Sequence, residues 1–530
     1  MTVEQEQRVR SAPHSTRGKV IQEVATMKRT VLPLSLMAVL LLVTPSSRPR
    51  ANAIQPAQQA TPAVQGCDVE PADNYTQTIS GLVEGDTLEL RVSARFGGAV
   101  ESLTWRGREF INIWDHGRQI GYAWGMDGYG ECLNPTEPGS ANDGQGLTST
   151  TQLLSVCRIA DNSLSTTARV AYWLAPGQSG GCGGGATTAV NDVVLSDHIL
   201  EKTIEIGYQG IDNVIAFTAM ITMPEVYHNN QLEIPTGYLT YEFNDYYLYN
   251  PQTGELIKPE SQPITGPWSF EFVGNLPPIL ATEDGAYAMG AYSAEPVRYY
   301  SILGTNSPTL ADRTNKWNIV VREEPALAIT YTYRSFAIVG TLEQVQAAMR
   351  ALYALHPADF APPIGWIDVA TCQEIAGWAW DPKTPNNPIK VEVYDLYDDG
   401  TETWLTQMIA DQPRGDLVTV LGDKGKHGFN IQTSSILHDD QRHMLRIYAV
   451  NSDPGLPNRY LHGATYAIEC LGLRPTLEPT PTNTPIVRPT STKVADVTPT
   501  IPSDSGGLPC LSAVLPLVFG VALWLERRRH

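Results

Sequence analysis

Charge is scarce in this chain. Asp, Glu, Lys and Arg make up only 18% of 530 residues, and the basic ones are the rarer, 37 Lys and Arg against 56 Asp and Glu, for a formal charge of −19. Phosphate backbones demand a basic face, so a nucleic-acid partner is excluded. No two of the seven cysteines stand in C-x-x-C spacing, which argues against a structural zinc site. The glycine run Gly177 to Gly185 (GQSGGCGGG) lacks the lysine and following helix of a phosphate loop and reads as a flexible loop. What the chain has in plenty is Gly (44), Pro (39) and Tyr (23), the profile of a loop-rich, β-dominated extracellular protein. Its length implies two or three domains.

Long apolar runs are few. From Met27 the chain reads MKRTVLPLSLMAVLLLVTPSSRPRANA, a basic start and an apolar run closing on Ala51-Asn52-Ala53. That order predicts a secretory signal over 27–53, with 1–26 ahead of the translated start. The expectation is therefore an exported, cell-surface protein, and cysteines in an oxidising compartment pair. Cys372 and Cys470 stand at the two ends of one segment, and a bridge between them would close a loop worth about 4–5 kcal/mol in chain entropy. Cys67, Cys132, Cys157 and Cys182 can pair in three ways that sequence does not separate. Residues 472–507 are a Pro/Thr-rich linker, too polar to bury a core. Residues 508–530 hold Cys510, an apolar segment and the basic end Arg527-Arg528-Arg529, a membrane-anchor or sorting pattern that contacts the cell envelope.

Period-two patterning dominates 67–357. Thr87 to Val92 and Glu201 to Tyr208 alternate as half-buried strands, and the fuller run Val214 to Met223 predicts a strand covered on both faces. Thr341 and Gln344 form a capping box ahead of the apolar stripe Leu342, Val345, Met349 and Leu352, which predicts a helix over 341–355. Residues 363–471 carry short strands and turns, including Asp399-Gly400, and fit a smaller β-sandwich. The fold class is all-β.

The chemistry concentrates in Trp114 to Glu137, WDHGRQIGYAWGMDGYGECLNPTE, which packs two Asp, two Glu, a His, an Arg and two Trp among five glycines. Sugars present apolar C–H faces and many hydroxyls; aromatic rings cover the faces, and carboxylates, amides and guanidiniums fix the hydroxyls. Trp114, Tyr122 and Trp124 supply rings, and Asp115, Arg118, Asp127, Glu131, Asn134 and Glu137 supply polar contacts. If the stretch is catalytic, Asp127 with Glu131, or Glu131 with Glu137, would be the acid and base of glycoside cleavage. Alternatively His116 would move a proton while Arg118 neutralises developing charge. Each residue also has a plainer reading: Asp115 and Arg118 as an ion pair, His116 as a structural histidine, the glycines as loop formers. No cofactor is required; Ca²⁺ is the one ion that Asp127, Glu131 and nearby carbonyls would suit, although no EF-hand spacing is present.

The lead-in to this stretch, Arg95-Phe96-Gly97-Gly98 through Trp105-Arg106-Gly107-Arg108-Glu109-Phe110, resembles the N-terminal part of galactose-mutarotase-like β-sandwiches. The resemblance implies a large supersandwich over about 80–355 and carbohydrate chemistry, with Arg118 where the family's sugar-holding arginine falls. The family's mid-domain acid is a histidine; the comparable run Pro235 to Phe243 has none, and His228 lies earlier, which departs from the epimerase pattern. Gly377-Trp378-Ala379-Trp380-Asp381-Pro382 with Lys426-His427-Gly428-Phe429 resembles a module of bacterial surface proteins. Trp378 and Trp380, two apart on a strand, share a face and are either a sugar platform or a core plug. The C-terminal tail is similar to tripartite sorting signals, with Cys510 as the processed cysteine. The expected function is surface-displayed carbohydrate binding or processing, with a carbohydrate or polysaccharide as partner. The alternatives are a non-catalytic structural or adhesive protein, and a polysaccharide lyase or glycoside hydrolase.

Overall fold

The computed structural model describes residues 66–259, 268–433, 436–437, 439, 441–463 and 467–470. The expected signal segment 27–53, the linker 472–507 and the tail with Cys510 lie outside the described residues.

The chain is all-β. Strands between residues 66 and 340 build one sixteen-stranded, antiparallel sheet and a four-stranded sheet. The four-stranded sheet, made by Thr76–Val83, Asp86–Ser93, Val100–Trp105 and Arg108–Glu109, packs its apolar face onto the large one. The expected alternation is present: Leu88, Leu90 and Val92 point into the core while Thr87, Glu89 and Arg91 face outward. Side chains such as Trp105, Trp124, Trp317, Phe110 and Phe243 are fully buried there, each worth about 1.5–3 kcal/mol of burial or somewhat more for the indoles. Gly237 has no room for a side chain, since a Cβ would stand 2.4 Å from the Trp317 ring.

The strand Ile211–Thr222 explains its own full apolar run. Ile215, Phe217, Ala219 and Ile221 face the main core, whereas Val214 and Ala216 lie under the helix α1, Leu342–Leu355. Beyond α1 the outer face opens, and Met220 is exposed. Thr341 caps α1 with the expected reciprocal bonds to Gln344. The helix covers that face with Val345, Ala348, Met349 and Leu352.

Strands from Ile364 to Glu469 form two five-stranded sheets around Ile367, Val391, Val393, Phe429, Leu445 and Ile447. Lys390–Leu396 and Glu402–Ile409 make a hairpin closed by the Asp399-Gly400 turn, where Gly400 takes φ +83° and Asp399 accepts from the Thr401 amide. Cys372 is joined to Cys470, and the other pairs are Cys67–Cys157 and Cys132–Cys182. Three disulfides suit an extracellular or otherwise oxidising environment. Among the described residues no helix is long and apolar enough to cross a membrane.

Candidate functional site

The strand Gly121–Met126 pairs with Asn230–Thr240, so Trp114 to Glu137 is woven into the large sheet. The pleat turns Tyr122 and Trp124 inward, where each is 1% exposed. Glu137 is fully buried too, in an ion pair with Lys202, whose ammonium also donates to the Gly98 carbonyl at 2.8 Å. Burial raises the Glu137 pKa, and the nearby ammonium of Lys202 opposes the rise; burial likewise lowers that of Lys202. The outward alternation of Glu201, Thr203 and Glu205 puts Lys202 on the inner face, a lysine in a core position that sequence reading passed over.

The remaining polar groups of the stretch hold backbone. His116 is fully buried, with Nδ1 2.9 Å from the Gly144 carbonyl and Nε2 2.7 Å from that of Arg95. Asp127, at φ +50°, accepts from the Asn229 amide at 3.1 Å. Glu131 accepts from the Gly181 amide at 2.7 Å and so docks the glycine run beside the Cys132–Cys182 bridge. That run is packed rather than loose: a Cβ on Gly183 would stand 2.2 Å from the Gly128 carbonyl. Gly177 to Gly181 does spell G-x-S-x-G, but it lies in this loop and not on a strand-to-helix turn, so it forms no nucleophile elbow. Asn134, with its amide oriented so that each end finds a partner, donates to the Trp124 carbonyl at 2.6 Å. Asp127 and Glu131 are thus engaged separately, and among the described residues no group of three or more His, Cys, Asp or Glu is placed to hold a metal.

Asp115, Arg118 and Trp114 lead elsewhere. Arg118 lies between Asp115 at 3.2 Å and Asp312 at 2.6 Å, tying the stretch to the turn Leu310–Asp312. Burial raises the Asp115 pKa against the pull of Arg118. Asn112 reinforces the tie, donating to the Ala311 and Arg313 carbonyls and accepting from the Trp114 amide. These bonds build one wall of an open depression of about 490 Å³, lined by Trp114, Tyr241, Glu242, Arg95 and Arg313 among others. A second depression of about 470 Å³, lined by Arg108, Tyr287, Asn244 and Asp284, shares Tyr241 and Glu242 with the first. Together they form a trough.

Glu242 sits at the junction. One carboxylate oxygen faces Arg108 at 3.5 Å, and the other is buried without a hydrogen-bond partner. Arg108 also lies over the Tyr287 ring, 5.1 Å from its centre. Asp284 accepts from the Thr282 hydroxyl and the Ala286 amide, which lower its pKa. Of the residues expected from sequence, Trp114 lines the trough and Asp115 and Arg118 support it; Tyr122, Trp124 and Glu137 are core, and His116, Asp127, Glu131 and Asn134 hold loops. Sequence reading missed Tyr241, Glu242, Arg108 and Tyr287. Tyr241 and Glu242 follow directly on Asn230–Thr240, within the run Pro235 to Phe243; a tyrosine and a glutamate just beyond a strand end were the available signal.

In the smaller sandwich Trp378 and Trp380 do share a face. They lie under the helix α2, Gly415–Leu421, with Leu417 and Leu421, and Trp380 is 3% exposed. Asp381 is fully buried and accepts from the Lys383 and Ser452 amides; His427 is held by Asp423 at 2.7 Å.

No protein-family model matches this chain, and no curated protein does.

Proposed function

We propose that this protein binds a carbohydrate chain along the trough centred on Tyr241 and Glu242, displayed outside the cell by an N-terminal export signal and a C-terminal envelope segment. The carrying observation is the pairing of two open depressions through Tyr241 and Glu242, with aromatic rings and charged groups lining both. The part-exposed side chains of Glu242 and Arg108 offer polar groups to sugar hydroxyls, while Trp114, Tyr241 and Tyr287 offer ring faces for C–H surfaces. An open trough with two lobes suits consecutive sugar units better than one enclosed small molecule. The large antiparallel sandwich and the lead-in motif at 95–110 support a mutarotase-like reading of residues 80–355.

The test is calorimetric titration of the full chain against a polysaccharide panel, neutral and acidic, beside Tyr241→Ala and Glu242→Gln. Each variant should weaken binding tenfold or more, about 1.4 kcal/mol, with the melting temperature nearly unchanged. A wild-type chain that binds no glycan would leave the structural or adhesive reading standing in its place, and variants that bind as well as wild type would move the glycan site away from the trough.

A further inference from the structure

Away from the trough, the two sandwiches meet along a seam that gathers four arginines. Arg298 and Arg322 come from the larger sandwich, Arg446 and Arg459 from the smaller, and all four line a cavity of about 230 Å³ with Glu295, Glu323, Tyr448 and His462. Arg446 pairs with Glu323 at 3.2 Å and Glu402 at 3.0 Å. Arg322 pairs with Glu324 at 2.7 Å, a carboxylate already shared with His462 at 2.6 Å. Arg298 and Arg459 have no carboxylate partner among the described residues: Arg298 donates to the Gln231 side chain, and Arg459 to the Val297 and Arg298 carbonyls.

Two of the four guanidiniums thus rely on neutral acceptors alone. The Nε groups of Arg322 and Arg446 are buried with no hydrogen-bond partner, and each such orphan is a cost in a folded protein. Burial, followed by the neighbouring Arg298, pushes the Arg459 pKa down to about 10; burial and then Arg322 lower that of Arg298. Four guanidiniums would repel a metal cation. A neutral ligand would supply acceptors without relieving the repulsion between Arg298 and Arg459. An oxyanion counters that repulsion, and guanidinium forks match its geometry. A cavity of about 230 Å³ has room for a tetrahedral or carboxylate head with some of its hydration.

We propose that this seam is a binding site for a sulfate, phosphate or carboxylate group, held by Arg298, Arg322, Arg446 and Arg459. The group arrives either as a free ion or on an acidic sugar; the chemistry at the seam is the same. The proposal does not depend on the trough.

The experiment is calorimetry and thermal denaturation of the full chain with sodium sulfate and sodium phosphate, against sodium chloride at matched ionic strength, and in parallel with glucuronate and glucose 6-sulfate. Saturable binding with a raised melting temperature is expected. Arg298→Gln should weaken it at least tenfold, and Glu295→Gln, which removes a lining carboxylate at constant shape, should tighten it. A sulfated sugar that binds tenfold better than sulfate would mark the sugar as carrier; equal affinities would mark the free ion. Absence of saturable binding of all four probes overturns the proposal. So does binding that is unchanged in Arg298→Gln and not tightened in Glu295→Gln.

Discussion

The larger and the smaller sandwich bury charge in different ways. In the larger, Lys202 and Glu137 meet in the sheet core, and Lys316 with Glu233 repeats the arrangement, 3.0 Å apart near its surface. In the smaller, beside Lys383 over the buried Asp381, imidazoles take that place: His427 with Asp423, and His443 with Asp395 and the more exposed Asp439. An ammonium in water is charged throughout the physiological range, whereas an unperturbed imidazole changes its charge within it. The difference teaches that similar layers of strands are held by polar groups with different responses to their surroundings.

The largest expected effect breaks the lysine pair. Lys202→Met leaves Glu137 buried and alone and should cost about 3–5 kcal/mol in urea denaturation. Lys202→Met with Glu137→Leu should recover most of that loss, because two apolar groups replace two desolvated charges. A double variant as unstable as the single one would mean that the pair serves more than its own neutralisation.

Next in size is acid. His198 lies in the larger sandwich in a box formed by Trp124, Tyr172 and Tyr227, and both ring nitrogens are buried without partners. Burial holds its pKa down to about 4. The unfolded chain then binds the proton first, so stability falls as pH drops from about 6.5 through about 4, by up to about 3 kcal/mol. His198→Phe should flatten that slope in thermal melts between pH 7 and 4, with a residue left by His462, which burial also holds down to about 4. His443 in the smaller sandwich has the opposite sign. Burial works against its charge, but its hydrogen bonds to Asp395 and Asp439 prevail and raise its pKa. Its contribution is complete below the unfolded value and is lost as pH rises through the folded one, a loss that His443→Gln should abolish.

The smallest effect sharpens the contrast between inside and outside. Arg106 pairs with Asp86 at 2.5 Å on the exposed edge of the four-stranded sheet and covers the Trp105 ring. Arg106→Ala should cost less than about 1 kcal/mol, and less again in high salt.

Alternation carried much of the fold. The strands around Leu88 and Ile204, the capped helix α1 and the Asp399-Gly400 hairpin follow from local pattern, and the Cys372–Cys470 bridge from spacing. Trp114 to Glu137 was less legible, because density of rings and carboxylates describes a buried network as well as a binding face. Nothing local reveals that Lys202, far along the chain, neutralises Glu137, or that Asp312 captures Arg118. The trough was hidden for a related reason: Arg108, Tyr241 and Tyr287 are widely separated in sequence, and only the sheet brings them together. The pairing of Cys67 with Cys157 likewise depends on sheet register, the two standing opposite across one strand pair, and that of Cys132 with Cys182 on the docking of the glycine loop by Glu131.

The bridge between Cys372 and Cys470 spans 98 positions of sequence and closes nearly the whole smaller sandwich into a ring. Mechanically, the ring is a shunt. Tension applied beyond Cys470 passes through the sulfur bridge to Cys372 and on to the strand Ile364–Ala370, and the loop between the two cysteines carries none of it. A pull from the C-terminal side therefore cannot unravel the strands from Glu374 to Glu469 in sequence; it loads the short chain and the seam contacts that join the ring to the larger sandwich. The first structure to yield under force would be Asp359 with its clasp to Lys383 and Asn451, before any strand enclosed by the bridge.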